Sequence, residues 1–107
     1  LSDENFEAEV LQSKLPVLVD FWATWCPPCR LIAPFLEAMA EEFEGRARVG
    51  KLDVDQNPAV VARYGIQAMP TLLVFKDGQV VDARIGAVPK SELVRFLDAQ
   101  LAQPVAD

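Results

Sequence analysis

The stretch "PVLVDFWATWCPPCR", Pro16 to Arg30, constrains the fold more than any other. Its first half is a near-continuous apolar run of strand length, the look of a strand buried on both faces of a parallel sheet. Both cysteines of the chain follow, separated by two prolines. Helical periodicity begins there: Ile32, Phe35, Leu36, Met39 and Phe43 recur at helix spacing to about Glu44, and Gly45 ends the run. Pro34 falls inside this helix and is expected to kink it. A buried strand feeding a helix through a cysteine pair is an α/β signature.

The rest of the chain alternates in the same way. "LSDENFEAEVLQ" reads as a short helix capped by Ser2, with Asp3 and Glu4 at the positive end of its dipole. "ARVGKLDV" reads as a second central strand. "NPAVVARYG" predicts a helix with Asn57 as cap, Pro58 in the first position and Gly65 as the left-handed exit. Thr71–Ile85 reads as a hairpin turning at Asp77-Gly78. A last helix is expected from Pro89 to Ala102, with Leu93, Phe96, Leu97 and Leu101 as its apolar stripe and Gln103–Asp107 fraying. The order α-β-α-β-α-β-β-α implies an α/β fold: a central mixed sheet, parallel in its first part, with helices on both faces. At 107 residues this is one domain, residues 1–107, with enough chain to bury a core.

The charge balance excludes several functions. Net charge is −6 and there is no histidine. Nucleic acid is disfavoured, since phosphate neutralisation needs clustered Lys and Arg. The commonest general base and metal ligand are both missing. No apolar run approaches the ~18 residues of a membrane span, and no signal-peptide pattern is visible. The chain starts at Leu1 rather than Met, which reads as trimming or processing and leaves a removed leader open.

Two cysteines at this spacing admit three uses. A staple closing so short a loop removes little chain entropy, roughly 2 kcal/mol. A zinc site wants four ligands, and one thiol pair without histidine needs a second chain or carboxylates to complete it. Redox or nucleophilic work suits the location best. Cys26 sits near a helix N-terminus, where unpaired N–H groups and the dipole favour thiolate. Residues three apart on a regular helix have β-carbons ~5–6 Å apart, and a disulfide needs about 3.5–4.5 Å. A non-helical Cys26 at the cap closes that gap. Pro27 then takes the first helical position, where a missing N–H costs nothing, and Pro28 follows in the first turn. With Cys26 as cap, the Cys29 N–H is the nearest donor left to its sulfur.

Other residues carry two readings each. Asp20 stands alone in "VLVDFW", on the same strand face as Leu18 and Trp22. Buried, it has a raised pKa and suits a proton shuttle for Cys29; near a strand end, it simply meets solvent. Lys51 is either a solvent-facing lysine or a neighbour that tunes Asp20. Trp25, beside the thiol, reads as exposed and functional, Trp22 as core, and Tyr64 as structural. Pro70 can be a strand-entry proline. Ile85, Gly86 and Ala87 can be a plain loop or the rim of a groove, and Met69 core or a soft contact surface.

The segments "DFWATWCPPCR", "KLDVDQNP", "YGIQAMPTLLVFKDG" and "IGAVPKSEL" together resemble the thioredoxin family in order and spacing over nearly the whole chain. The resemblance implies that family's fold, with a redox site at the N-terminus of the kinked helix. It implies an exposed attacking thiol at Cys26 and a buried resolving thiol at Cys29, framed by Trp25 and Pro28. It makes Asp20 the buried acid beneath the site and Lys51 its partner. Pro70 becomes a cis-proline facing the disulfide and, with Met69, lining the substrate groove opposite Ile85, Gly86 and Ala87. The implied activity is protein-disulfide reduction by a cytoplasmic monomer that binds no cofactor or metal. Electrons come from NADPH through a flavoprotein reductase, and neither nucleic acid nor membrane is a partner. Three departures stand out: Pro27 replaces a usual glycine, Met69 a frequent isoleucine, and the family's first strand is short or missing. Two alternatives stay open, an oxidase or isomerase direction of the same couple and a non-catalytic docking subunit.

Overall fold

In the computed structural model, which describes residues 1–101, the apolar run becomes β1 (Val17–Trp22). Val17 through Phe21 are all buried, because β1 is flanked within the sheet and covered on both faces. The four strands run in the order β2-β1-β3-β4. β2 (Arg48–Asp53) pairs parallel to β1, with Asp20 opposite Lys51. β3 (Thr71–Lys76) pairs antiparallel to β1, and β4 (Gln79–Ile85) antiparallel to β3. The expected hairpin is present: Asp77 and Gly78 both have positive φ, 54° and 79°, as a two-residue primed turn requires. One expectation is corrected. β2 is an edge strand among the described residues rather than a central one, and its exposed Arg48 and Lys51, with Leu52 its one buried residue, fit that position. No strand precedes β1 among the described residues.

Strand alternation divides the core into two layers. Leu18, Leu72 and Val74 face α1 (Pro27–Glu42) and α3 (Lys90–Leu101), packing with Ile32, Leu36, Met39, Leu93, Phe96 and Leu97. Val17, Val19 and Phe21 face the other way, toward Phe6, Val10, Leu52, Val60 and Phe75. α2 (Pro58–Tyr64) lies on this second side. Each such side chain contributes about 1.5–3 kcal/mol through burial. Tyr64 is structural, as expected: its ring stands edge-on to Phe75 at 5.2 Å and tilted against Phe6 at 5.8 Å. α3 starts one residue later than expected, with the Pro89 carbonyl accepting from Glu92 and Leu93. Its expected end at Ala102 and the fraying of Gln103–Asp107 lie outside the described residues.

The N-terminal segment differs from expectation in its winding. Ser2 and Asn5 bond reciprocally, side chain to backbone, at 2.7 and 3.3 Å, which closes the turn ahead of the helix. The helix itself has Phe6 at its N-cap with no side-chain cap bond, so the expected Ser2 cap is not made. Beyond this turn, Glu7–Leu11 winds as a π-helix, with the Gln12 N–H reaching the Glu7 carbonyl at 2.9 Å. Asp3 does not serve this helix. Its carboxylate accepts from the N–H groups of Ala59 and Val60, at 3.2 and 3.0 Å, and so caps α2 from across the chain. Asn57, the expected cap, is buried and makes no cap bond. Its amide instead donates to the Asp53 carbonyl at 2.9 Å and accepts from the Asp3 N–H at 2.8 Å. A carboxylate on the orphan donors of a helix start is worth about 1–2 kcal/mol. Asp3→Ala should lower unfolding stability by that amount in urea titration while leaving the sheet intact.

Candidate active site

The strand–helix junction places the cysteines. β1 ends at Trp22, and the Cys26 N–H bonds back to the Ala23 carbonyl at 3.2 Å. Cys26 is extended (φ −102°, ψ 102°) and helical geometry begins at Pro27, so Cys26 is the N-cap. Its Sγ accepts from the Cys29 N–H at 3.2 Å, the donor left over once Pro27 and Pro28 have removed theirs. The two Cα atoms are 5.3 Å apart, and the sulfurs are joined as a disulfide. Both cysteines are only 3% exposed. The resemblance implied an exposed Cys26; in the disulfide state it is as covered as Cys29, packed with Ala23 and against Trp22, Val54 and Met69.

Asp20 lies beneath them on β1, 2% exposed, and its Oδ1 has no hydrogen-bond partner. Burial pushes its carboxyl up to about 7, with the Lys51 charge pulling the other way. The solvent-facing alternative for Asp20 is therefore set aside. Asp20 and Cys29 line one cavity of about 200 Å³, together with Trp22, Arg30, Ala33 and Lys51. Lys51 is exposed and opposite Asp20 in register. It forms no ion pair with that acid among the described residues; its Nζ instead rests over the Trp22 ring, 5.0 Å from the centroid. Its influence on Asp20 is through space. Trp22, expected in the core, is half-buried between this lysine and the disulfide cluster.

The surface around the disulfide is apolar. Trp25 is 60% exposed, and its indole N–H donates to the Asp55 carboxylate at 2.8 Å. Pro27 and Pro28 are exposed beside it. The Met69–Pro70 peptide is cis, Pro70 is buried, and Met69 is half-buried against the disulfide cluster. The Gly86 N–H bonds to the Pro70 carbonyl at 2.9 Å, tying the Ile85–Ala87 loop to the cis-proline. Ile85 is 67% exposed, and Ala87 is exposed too.

Three residues in this neighbourhood escaped the sequence reading. Asp55 holds Trp25, yet nothing in "DVDQNP" marks a partner 30 residues away. Arg30 lines the Asp20 cavity and donates to the Thr24 carbonyl at 2.6 Å. Leu31, 66% exposed, lies one turn after Pro27 on the same helix face. It had a readable signal, an apolar residue off the buried stripe. Among the described residues no three His, Cys, Asp or Glu side chains converge as metal ligands, and no helix is long and apolar enough to cross a membrane.

The thioredoxin family model matches residues 1–99. The chain is 50% identical to Thioredoxin 1 of Synechococcus elongatus over 101 residues, covering 94% of each protein. It shares 50% with the thioredoxin of Synechocystis, again over 94% of each, and 49% with that of Porphyra purpurea over 95% of each. Because these matches run through the junction, the buried acid and the cis-proline loop alike, the chain belongs to the thioredoxin family and is a thiol–disulfide oxidoreductase that reduces protein disulfides through its Cys26–Cys29 couple.

Proposed function

We propose that Cys26 attacks, Cys29 resolves and Asp20 carries the proton. The observation behind the last role is a carboxylate 2% exposed, its Oδ1 without a hydrogen-bond partner among the described residues, on the wall of the same cavity as Cys29. In the reduced protein, the helix N-terminus and the Cys29 N–H favour thiolate at Cys26. That thiolate attacks one sulfur of the substrate disulfide. The substrate S–S bond breaks, its second sulfur leaves as thiolate, and a mixed disulfide forms. Asp20 then accepts the Cys29 proton, and the Cys29 sulfur attacks Cys26 Sγ. The substrate's remaining thiolate departs, and two electrons have passed to it.

The groove around the couple is the docking surface. Met69 offers backbone N–H and C=O to an extended segment beside Pro70, as a strand adds to an edge. Trp25, Pro27 and Pro28 form one wall, and Ile85, Gly86 and Ala87 the other; glycine lets the partner backbone approach. Lys51 tunes Asp20 from the cavity mouth. Reduction of the resulting disulfide falls to a flavoprotein reductase drawing on NADPH, with the protein acting as a monomer in a reducing compartment such as the cytoplasm.

Three expectations follow from these roles. Cys29→Ser should accumulate a covalent complex with substrate that dithiothreitol releases, whereas Cys26→Ser should form none; trapping by Cys26→Ser and not by Cys29→Ser would reverse the assignment. Asp20→Asn should slow insulin reduction near neutral pH, and an unchanged rate from pH 6 to 9 would refute the shuttle. Stability gives an independent check on Asp20. Its folded-state pKa of about 7 lies above the unfolded value, near ~3.9. As pH rises from about 4 to about 7, the unfolded chain gives up this proton first, so the fold loses up to about 4 kcal/mol. Urea midpoints of the wild type should fall across that window, and those of Asp20→Asn should not.

A further inference from the structure

The chain has two methionines, and they sit in opposite surroundings. Met39 is fully buried, in one cluster with Leu18, Leu36 and Leu93 between α1, α3 and the sheet. Met69 is half-buried and packs against Ala23 and the two cysteines, beside Trp22 and Val54. With Cys26 and Cys29 joined and covered, Met69 is the one sulfur side chain among the described residues that reaches the surface. A thioether is oxidised by peroxides according to its access to them, and the product is a polar sulfoxide.

The position makes that change matter. The surface around the disulfide is apolar, with Trp25, Ile85 and the two active-site prolines exposed. Its hydrogen-bond donors are already taken. The Trp25 indole N–H is held by Asp55, the Gly86 N–H by the Pro70 carbonyl, and the Thr71 hydroxyl by the Ala68 carbonyl. A new acceptor oxygen on Met69 therefore takes its hydrogen bonds from water. That water stands where an extended segment must lie. Docking then strips a polar group of its solvent and returns no partner, which is costly.

We propose that Met69 is a reversible oxidation site through which peroxide weakens the docking of protein substrates. A hydroperoxide gives one oxygen to the Met69 sulfur. The O–O bond breaks and an S–O bond forms; the thioether loses two electrons, and the peroxide leaves as water or an alcohol. Methionine sulfoxide reductases reverse the change: two electrons and two protons from a dithiol restore the thioether and release water. Cys26 and Cys29 take no part, so the couple keeps its own chemistry while the groove loses its apolar floor. A small disulfide that reaches Cys26 without lying along the groove is spared. The inference rests on Met69 lining that groove.

The experiment treats the disulfide form with hydrogen peroxide, so that neither thiol is free to react, then removes the peroxide and reduces the couple with dithiothreitol. Peptide mass spectrometry reads oxygen gain at each methionine. Met69 should gain oxygen roughly tenfold faster than Met39, or more, since access governs the rate. KM for insulin should rise roughly fivefold or more, the effect of losing one central apolar contact, while reduction of a small aromatic disulfide keeps its rate. In Met69→Leu, peroxide should leave the insulin KM at whatever value it had before treatment. Equal oxidation of the two methionines overturns the proposal, and so does a complete Met69 sulfoxide with unchanged KM. Met69→Gln, which sets a polar side chain there without peroxide, separates two failures. A KM raised by glutamine but not by the sulfoxide rejects the oxidation switch alone; a KM moved by neither rejects Met69 as part of the groove.

Discussion

β1 can be buried on both faces because β2 and β3 take up its backbone hydrogen bonds on either side, while two helical layers cover its side chains. An interior strand of this kind admits apolar residues freely and a carboxylate only at a cost. Asp20 is that exception. It is held in a raised-pKa state by burial on the α1 face of the strand, opposite the face on which Val19 and Phe21 pack. The redox site inherits its position from this strand. The chain leaves β1 at Trp22, turns once and starts a helix, which sets Cys26 at the cap and Cys29 above the acid.

Much of this was legible in the residues because it is local. An uninterrupted apolar run, a proline at the start of a helix and Asp-Gly between two strands each dictate backbone geometry within a few positions. The extended Cys26 followed from the reach of a disulfide across one helical turn, and the Cys29 donor from the two prolines. What escaped depends on partners far away in the chain. β2 looks like a central strand by composition, and only the strand order shows it at an edge. Asn57 has the residue type of a cap, yet Asp3 reaches those N–H groups first and Asn57 turns to the loop. Lys51 lies opposite Asp20, but the ring of Trp22 offers its ammonium a face without full desolvation. Competition of this sort has no periodic signature.

The groove shows how exposure and anchoring are divided. Trp25 is exposed, yet its one polar atom is already bonded to Asp55, so what it presents to a partner is ring surface. Ile85 is exposed next to a glycine whose N–H is committed to Pro70. The surface is thus apolar in character while its own loops remain hydrogen-bonded. That combination suits contact with many extended segments of differing sequence rather than one.

The two prolines carry a further consequence. They strip the first turn of α1 of the amides that would otherwise surround Cys26, leaving its sulfur to one neighbour. That neighbour is Cys29, which in the proposed cycle steadies the opening anion with its backbone and closes the cycle with its thiol. Initiation and termination would then be concentrated in a single residue, since among the described residues no second donor reaches the Cys26 sulfur.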